Sequence, residues 1–259
     1  YTLDSDCLEA LITPKTKAVI AVHLYGHAAE LASIKSICSQ HGLFLIEDCA
    51  QAHLSTYHHQ PVGSIGDVGT FSFYPTKNLG ALGDAGCVVT NHDELAEKMR
   101  RFANHGALGK DDHTIEGMNS RMDSIQAAVL LQKLPHLHGR NAKRIANASR
   151  YAHQLQNHSD IILPQTARDT THAFHVFAIR THQRDALQQY LATNGIQTLI
   201  HYPVALPFLP AYSRLGYRPA DFPVAASLQK ELLSLPIHPG ITFEQIDYIS
   251  SCIRKFFNR

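Results

Sequence analysis

KAVIAVHLYG at Lys17–Gly26 and LFLIED at Leu43–Asp48 are the two stretches whose reading decides the fold. Each is a nearly continuous apolar run, the pattern of a strand buried on both faces. Between them Leu31, Ile34, Ile37 and Cys38 recur at helical spacing, and Gly42 marks a stop. The spacing predicts a helix over 29–41. Strand, helix and strand in this order give a parallel pair with a right-handed crossover.

Outward from this unit, 56–67 holds Pro61, Gly63 and Gly66 and reads as a loop or small hairpin. GTFSF at Gly69–Phe73 and GCVVT at Gly86–Thr90 read as strands, and 93–102 as a helix. Another helix is expected from Asp123, capped by its carboxylate with Gln126 reaching back, and kinked or ended by Pro135. A further helix follows over 139–156. The pattern then changes. THAFHVFAIR at Thr171–Arg180 alternates like a strand, 184–193 is helical, and Ile196–Tyr202 reads as a strand. Helices are expected over 224–233 and 243–257. The expected class is α/β: a mostly parallel sheet flanked by helices over 1–140, and a smaller α+β domain over 141–259.

The composition excludes several classes. With 44% apolar and 17% charged residues, the 259-residue chain has enough apolar surface for a core and is not a disordered one. Lys and Arg number 23 and Asp and Glu 22, so there is no basic excess for a nucleic-acid binder. No window approaches the roughly 18 consecutive apolar residues of a membrane span. Five scattered cysteines without a Cys-x-x-Cys pair suit a reducing compartment, so a cytoplasmic protein is expected. The 18 histidines show no ligand pair on one helix face, and no metal is expected.

Three segments hold residues that carry chemistry. EDCAQAH at Glu47–His53 follows a strand, where open α/β sheets bind ligands. Read alone, Asp48 is better explained as a helix cap over Cys49–Ala52. FSFYPTKNLGALGDAG at Phe71–Gly86 places Lys77 before three glycines in seven residues. An apolar surrounding lowers a lysine's pKa toward nucleophilic use, yet a solvated turn lysine is the blander reading. GMNSRMDSIQ at Gly117–Gln126 offers Asn119 and Arg121 for an anion, or simply a helix entry.

Taken together, in this order and spacing, these segments resemble the DegT/DnrJ/EryC1/StrS family of sugar aminotransferases, pyridoxal-phosphate enzymes of fold type I. HLYG at His23–Gly26, IHYPVALPFLPAY at Ile200–Tyr212 and LPIHPGITFEQID near the end extend the resemblance along the whole chain. The resemblance implies that Lys77 forms the Schiff base with pyridoxal 5′-phosphate and shuttles the proton. It implies that Asp48 pairs with the ring nitrogen, Gln51 contacts the ring's hydroxyl side, and Ser72 binds the phosphate. Asn119 is implied to reach the phosphate of the neighbouring subunit, hence a homodimer with shared sites. His105, His201 and Tyr202 fall where members approach the sugar. His53 reads as a packed, hydrogen-bonded histidine, and His58 and His59 as turn residues.

The implied reaction moves an amino group from glutamate or glutamine onto a keto nucleotide-sugar, in amino-sugar biosynthesis. No nucleic-acid or membrane partner is expected. Family members carry a phosphate-cradling turn and a ring-stacking aromatic before the position of Tyr1. Neither is found, there is no initiator Met, and a fragment of a longer product is therefore expected. Other readings are a non-catalytic scaffold that keeps the fold, an inactive fragment, a sugar-dehydratase relative, and a histidine metalloprotein. Lys77 argues against the dehydratase, in which the lysine is replaced.

Overall fold

The computed structural model describes residues 1–258. They form two compact units: 1–141 with 166–175, and 142–165 with 176 onward. The return of 166–175 to the first unit is a discontinuity that the boundary at 140 does not contain.

The first unit is built on a four-stranded sheet of order β1-β2-β5-β6. Its strands are β1 (Ala18–Val22), β2 (Phe44–Asp48), β5 (Val68–Ser72) and β6 (Gly86–Val89). β1, β2 and β5 run parallel and β6 is antiparallel. Helix α1 (Leu31–His41) connects β1 to β2, as its spacing requires. Gly42 ends it in the left-handed conformation, φ 62°, donating its N–H to the Cys38 and Ser39 carbonyls. Leu31, Ile34 and Cys38 of α1 pack with Val19, Ala21 and Leu45 of the strands in one buried cluster. The opposite sheet face exposes Ile20, Val22 and Phe44.

Between β2 and β5 lies a tight hairpin, β3 (Thr56–Tyr57) and β4 (Gln60–Pro61), which also pairs with β7 (Thr170–Thr171). His58 and His59 are its two turn residues, both at positive φ, 45° and 64°. Helices α2 (Asp93–Ala103), α3 (Ser124–Lys133) and the start of α4 (Leu137–Leu155) complete the unit. Pro135 produces a 3-10 turn between α3 and α4 rather than a stop. The capping box expected at Asp123 does not form. Asp123 makes no side-chain cap bond, and Gln126 instead accepts the Leu82 N–H at 2.8 Å.

The second unit pairs β8 (Phe177–Arg180) with β9 (Leu232–Leu235), antiparallel, beside α5 (Arg184–Thr193), α6 (Pro223–Glu231) and α7 (Phe243–Phe257). Thr242 and Gln245 form a true capping box on α7. Three sequence expectations change. The run 171–180 is two strands, not one, because Ala173 and His175 donate their N–H groups to Gly26 and Tyr25. The segment 196–202 is not a strand; Leu199 alone bridges to Ser234. LLSL at 232–235 is a fully buried strand, not the end of a helix. Among the described residues no helix is long and apolar enough to cross a membrane.

Candidate active site

The end of β2 presents two adjacent carboxylates to opposite faces of the sheet, because side chains alternate along a strand. Glu47 shares the inner face with Leu45 and is 0% exposed. It accepts four hydrogen bonds: Gly63 N–H (2.7 Å), Ile65 N–H (2.8 Å), Gly66 N–H (2.6 Å) and His23 Nε2–H (3.0 Å). His23 Nδ1 accepts the Ala29 N–H at 3.0 Å, which leaves the proton on Nε2. Burial pushes the Glu47 carboxyl up, but the His23 and backbone hydrogen bonds outweigh it and hold it below the usual range. Cys49 Sγ lies close by, and the ligand atoms of His23, Glu47 and Cys49 fall within 4.8 Å of one another. The cluster suits a hydrogen-bonded hub better than a cation. Its His and Glu atoms are engaged, and burial with two neighbouring carboxylates pushes the Cys49 thiol strongly up.

Asp48 faces the other way. Across the sheet it is in register with Val22 of β1 and Thr70 of β5, and Thr70 with Val88 of β6. Ser72, two residues after Thr70, shares that face. Asp48 Oδ1 accepts the Ala50 N–H at 3.0 Å in a turn, not at a helix start. Gln51 is buried, and its Oε1 accepts the Tyr25 N–H at 2.6 Å.

The turn after β5 carries Lys77. Its own N–H bonds the Tyr74 carbonyl, and the Ala81 N–H returns to the Phe73 carbonyl. Lys133 Nζ holds the Gly80 carbonyl at 2.6 Å, and Gln126 holds Leu82. The glycines here serve the chain's own packing. A Cβ on Gly80 would stand 2.4 Å from the Pro75 carbonyl oxygen, and one on Gly86 2.8 Å from that of Phe71. Burial lowers the Lys77 pKa, and the charge of Asp48 partly opposes this. A cleft of about 1520 Å³ opens beside Lys77, its walls including Thr70, Ser72, Lys77, Ser120 and Arg121.

His53 also lies within electrostatic reach of Lys77. It is 3% exposed, with ring centroids 5.6 Å from Phe71 and 5.7 Å from Phe73. It is packed as expected, and the polar group beside its ring is the Ser72 backbone. Burial, with the Lys77 charge adding, pushes its pKa down to about 4.

The remaining sequence candidates have the following local partners. Asn119 is exposed; its Oδ1 accepts Arg121 Nε–H at 3.2 Å, and Arg121 also donates to Asn104 Oδ1 at 2.9 Å. His105 is exposed at φ 56°, and its carbonyl accepts His113 Nδ1–H. His201 and Tyr202 belong to the second unit, where His201 Nδ1 meets Ser234 Oγ at 2.8 Å. The sequence reading gave no role to Thr70, Asn78, Asn141 or the Glu47–His23 pair, and placed Gln126 in a helix cap. Only Glu47 carried a signal: strand alternation turns it inward among apolar neighbours.

The erythromycin biosynthesis sensory transduction protein EryC1 of Saccharopolyspora erythraea is 45% identical over 254 residues, spanning 98% of this chain and 69% of the relative. A dTDP-3-amino-3,4,6-trideoxy-alpha-D-glucose transaminase of Streptomyces venezuelae is 42% identical over 258 residues, 100% of this chain and 68% of its own. The crystal structure of S. venezuelae DesV in complex with a ketimine intermediate matches with a TM-score of 0.97 at 42% identity, covering 100% of this chain and 70% of that one. Further solved neighbours were determined in pyridoxal- and pyridoxamine-phosphate forms. The model of the DegT/DnrJ/EryC1/StrS aminotransferases matches residues 1–254. The chain belongs to the DegT/DnrJ/EryC1/StrS aminotransferase family.

Proposed function

We propose that the protein moves an amino group from glutamate or glutamine onto the keto carbon of a nucleotide-linked sugar, with pyridoxal 5′-phosphate as cofactor. One observation carries this reading. Lys77, whose proton affinity burial lowers, lies within electrostatic reach of Asp48 at the carboxyl end of a parallel strand. The donor set suits the cofactor: the Lys77 amine, the hydroxyls of Thr70 and Ser72 and the Arg121 guanidinium line the cleft, and the Asp48 carboxylate lies within electrostatic reach of Lys77. The cleft beside Lys77 has room for a substrate larger than an amino acid.

When bound, the cofactor supplies an electron sink. The protein does the rest. Lys77 Nζ holds the cofactor and takes and returns the proton at the amino-bearing carbon; its burial favours the free amine over the ammonium. Asp48 keeps the ring nitrogen protonated. Gln51 serves the ring's hydroxyl side, its carbonyl fixed by the Tyr25 N–H. Ser72 binds the phosphate, and Asn119 the phosphate of the neighbouring subunit in a homodimer. His105, His201 and Tyr202 approach the sugar. The transaminase name of the S. venezuelae relative supports the substrate class.

The sensory-transduction name of EryC1, and the name of a 42% identical pleiotropic regulatory protein of Geobacillus stearothermophilus, favour a second reading, a non-catalytic fold-retaining regulator. One assay separates them. A panel of keto nucleotide-sugars is incubated with glutamate or glutamine and cofactor, with the native protein and with Lys77→Ala. Amination by the native protein alone is the expected result. No amination of any keto sugar by cofactor-loaded protein would favour the regulator.

A further inference from the structure

Lys77 and Asp48 stand on separate turns, and buried amides join those turns. Asn141, near the start of α4, donates Nδ2–H to the His53 carbonyl at 2.7 Å, at the end of the turn that Asp48 opens. Asn141 Oδ1 accepts Asn78 Nδ2–H at 3.0 Å, and Asn78 directly follows Lys77. The other Asn78 amide hydrogen goes to the Ala173 carbonyl at 3.0 Å, and Asn78 Oδ1 meets His175 Nδ1 at 3.1 Å. Asn78 and Asn141 are 7% and 6% exposed. Every arm of the Asn78 amide is used, which fixes its orientation. All of these residues lie in the first unit. The other pins on the lysine turn, from Gln126 and Lys133, reach its far side at Leu82 and Gly80 and tie it to α3.

We propose that Asn78 and Asn141 are positioning residues: they clamp the Lys77 turn to the Asp48 turn and so set the reach of the Lys77 amine over the cofactor site. This rests on reading Lys77 as the lysine that holds the cofactor. A buried amide whose every arm is used, as in Asn78, has one geometry, and a site needs such a supporting shell to hold its reacting groups in place. An apolar residue of similar volume fills the space and leaves the turns unconnected. Burial lowers the Lys77 proton affinity and Asp48 from β2 raises it; His53 from the following turn is the other titratable group near Lys77.

The test uses protein free of cofactor. Lys77 is titrated by competitive acetylation across pH, its peptide read by mass spectrometry, and the affinity for pyridoxal phosphate is measured separately. Asn141→Leu, and the milder Asn141→Ser, are expected to raise the Lys77 midpoint toward that of a free lysine. Cofactor affinity should fall about tenfold or more, since misplacing a site group by ~1 Å costs on the order of 10²-fold. Asn147→Leu is the control. It removes an equally buried amide of α4, which bonds the His238 carbonyl, and leaves the Lys77 profile unchanged. Asn141 variants with a native Lys77 profile, or an equal shift in Asn147→Leu, would overturn the proposal. Trapping of the cofactor on another lysine overturns the functional reading and the cofactor half of the clamp; the acetylation profile tests the Lys77 half on its own.

Discussion

Glu47→Gln removes one charge from a fully buried position and turns one of its oxygens into an N–H donor. Oε1 accepts from Ile65 and Gly66, and Oε2 from Gly63 and His23. Whichever oxygen becomes the amide nitrogen, two donors lose their acceptor and face another donor. Hydrogen bonds to a charged group contribute about 1.5–3 kcal/mol each, so the loss is roughly 3–6 kcal/mol. That is a large part of the ~5–15 kcal/mol that holds a domain folded. The chain has no tryptophan, so urea unfolding is followed by far-UV circular dichroism. The midpoint should fall at pH 7 with an unchanged slope. The difference should shrink in acid. The Glu47 pKa is lowered on folding, so its stabilisation is full above the unfolded carboxyl's pKa and disappears as pH falls through the folded one. A loss under about 1 kcal/mol at pH 7, or one independent of pH, would refute the hub.

Other perturbations follow from the same geometry. His172 stacks on Phe174, accepts the Phe174 N–H on Nδ1, and has its pKa pushed down to about 3, chiefly by burial. With His53 at about 4, two histidines stay neutral in the fold that take protons when unfolded. Stability should therefore fall below pH ~6.5 by about 1.4 kcal/mol per pH unit for each, and His172→Gln should reduce the slope by about that amount between pH ~6 and ~4. An unchanged slope in urea titrations at stepped pH contradicts this. Replacing the hairpin turn His58-His59 by Asn-Gly should stabilise by roughly 0.5–1 kcal/mol, because positive φ at both positions suits those residues; a lower urea midpoint would count against it. Gly69→Ala places a Cβ 2.4 Å from the Gly63 carbonyl oxygen and should cost about 1–3 kcal/mol by the same assay.

Much of the first unit was legible because its residues announce themselves. The apolar runs of β1 and β2 and the Leu31, Ile34, Cys38 spacing leave one reading. What stayed hidden depends on partners distant in sequence. Gln126 abandons the helix cap because the Leu82 N–H, 44 residues away, needs an acceptor. The strand pattern of 171–180 breaks where residues 173 and 175 bond the backbone near Gly26 instead of a ladder. A short apolar run such as 232–235 suits helix or strand until a partner strand is known. At the site, the family motifs point to Asp48 and Lys77. The supporting shell of Glu47, Asn78 and Asn141 needed coordinates, since asparagines at 78 and 141 carry no periodic signal.

The most direct test of the account is to load the protein with pyridoxal phosphate, reduce with borohydride, digest and map the pyridoxyl adduct. The account predicts the adduct on Lys77 and its loss in Lys77→Ala. An adduct on a different lysine, or one that survives Lys77→Ala undiminished, would contradict it.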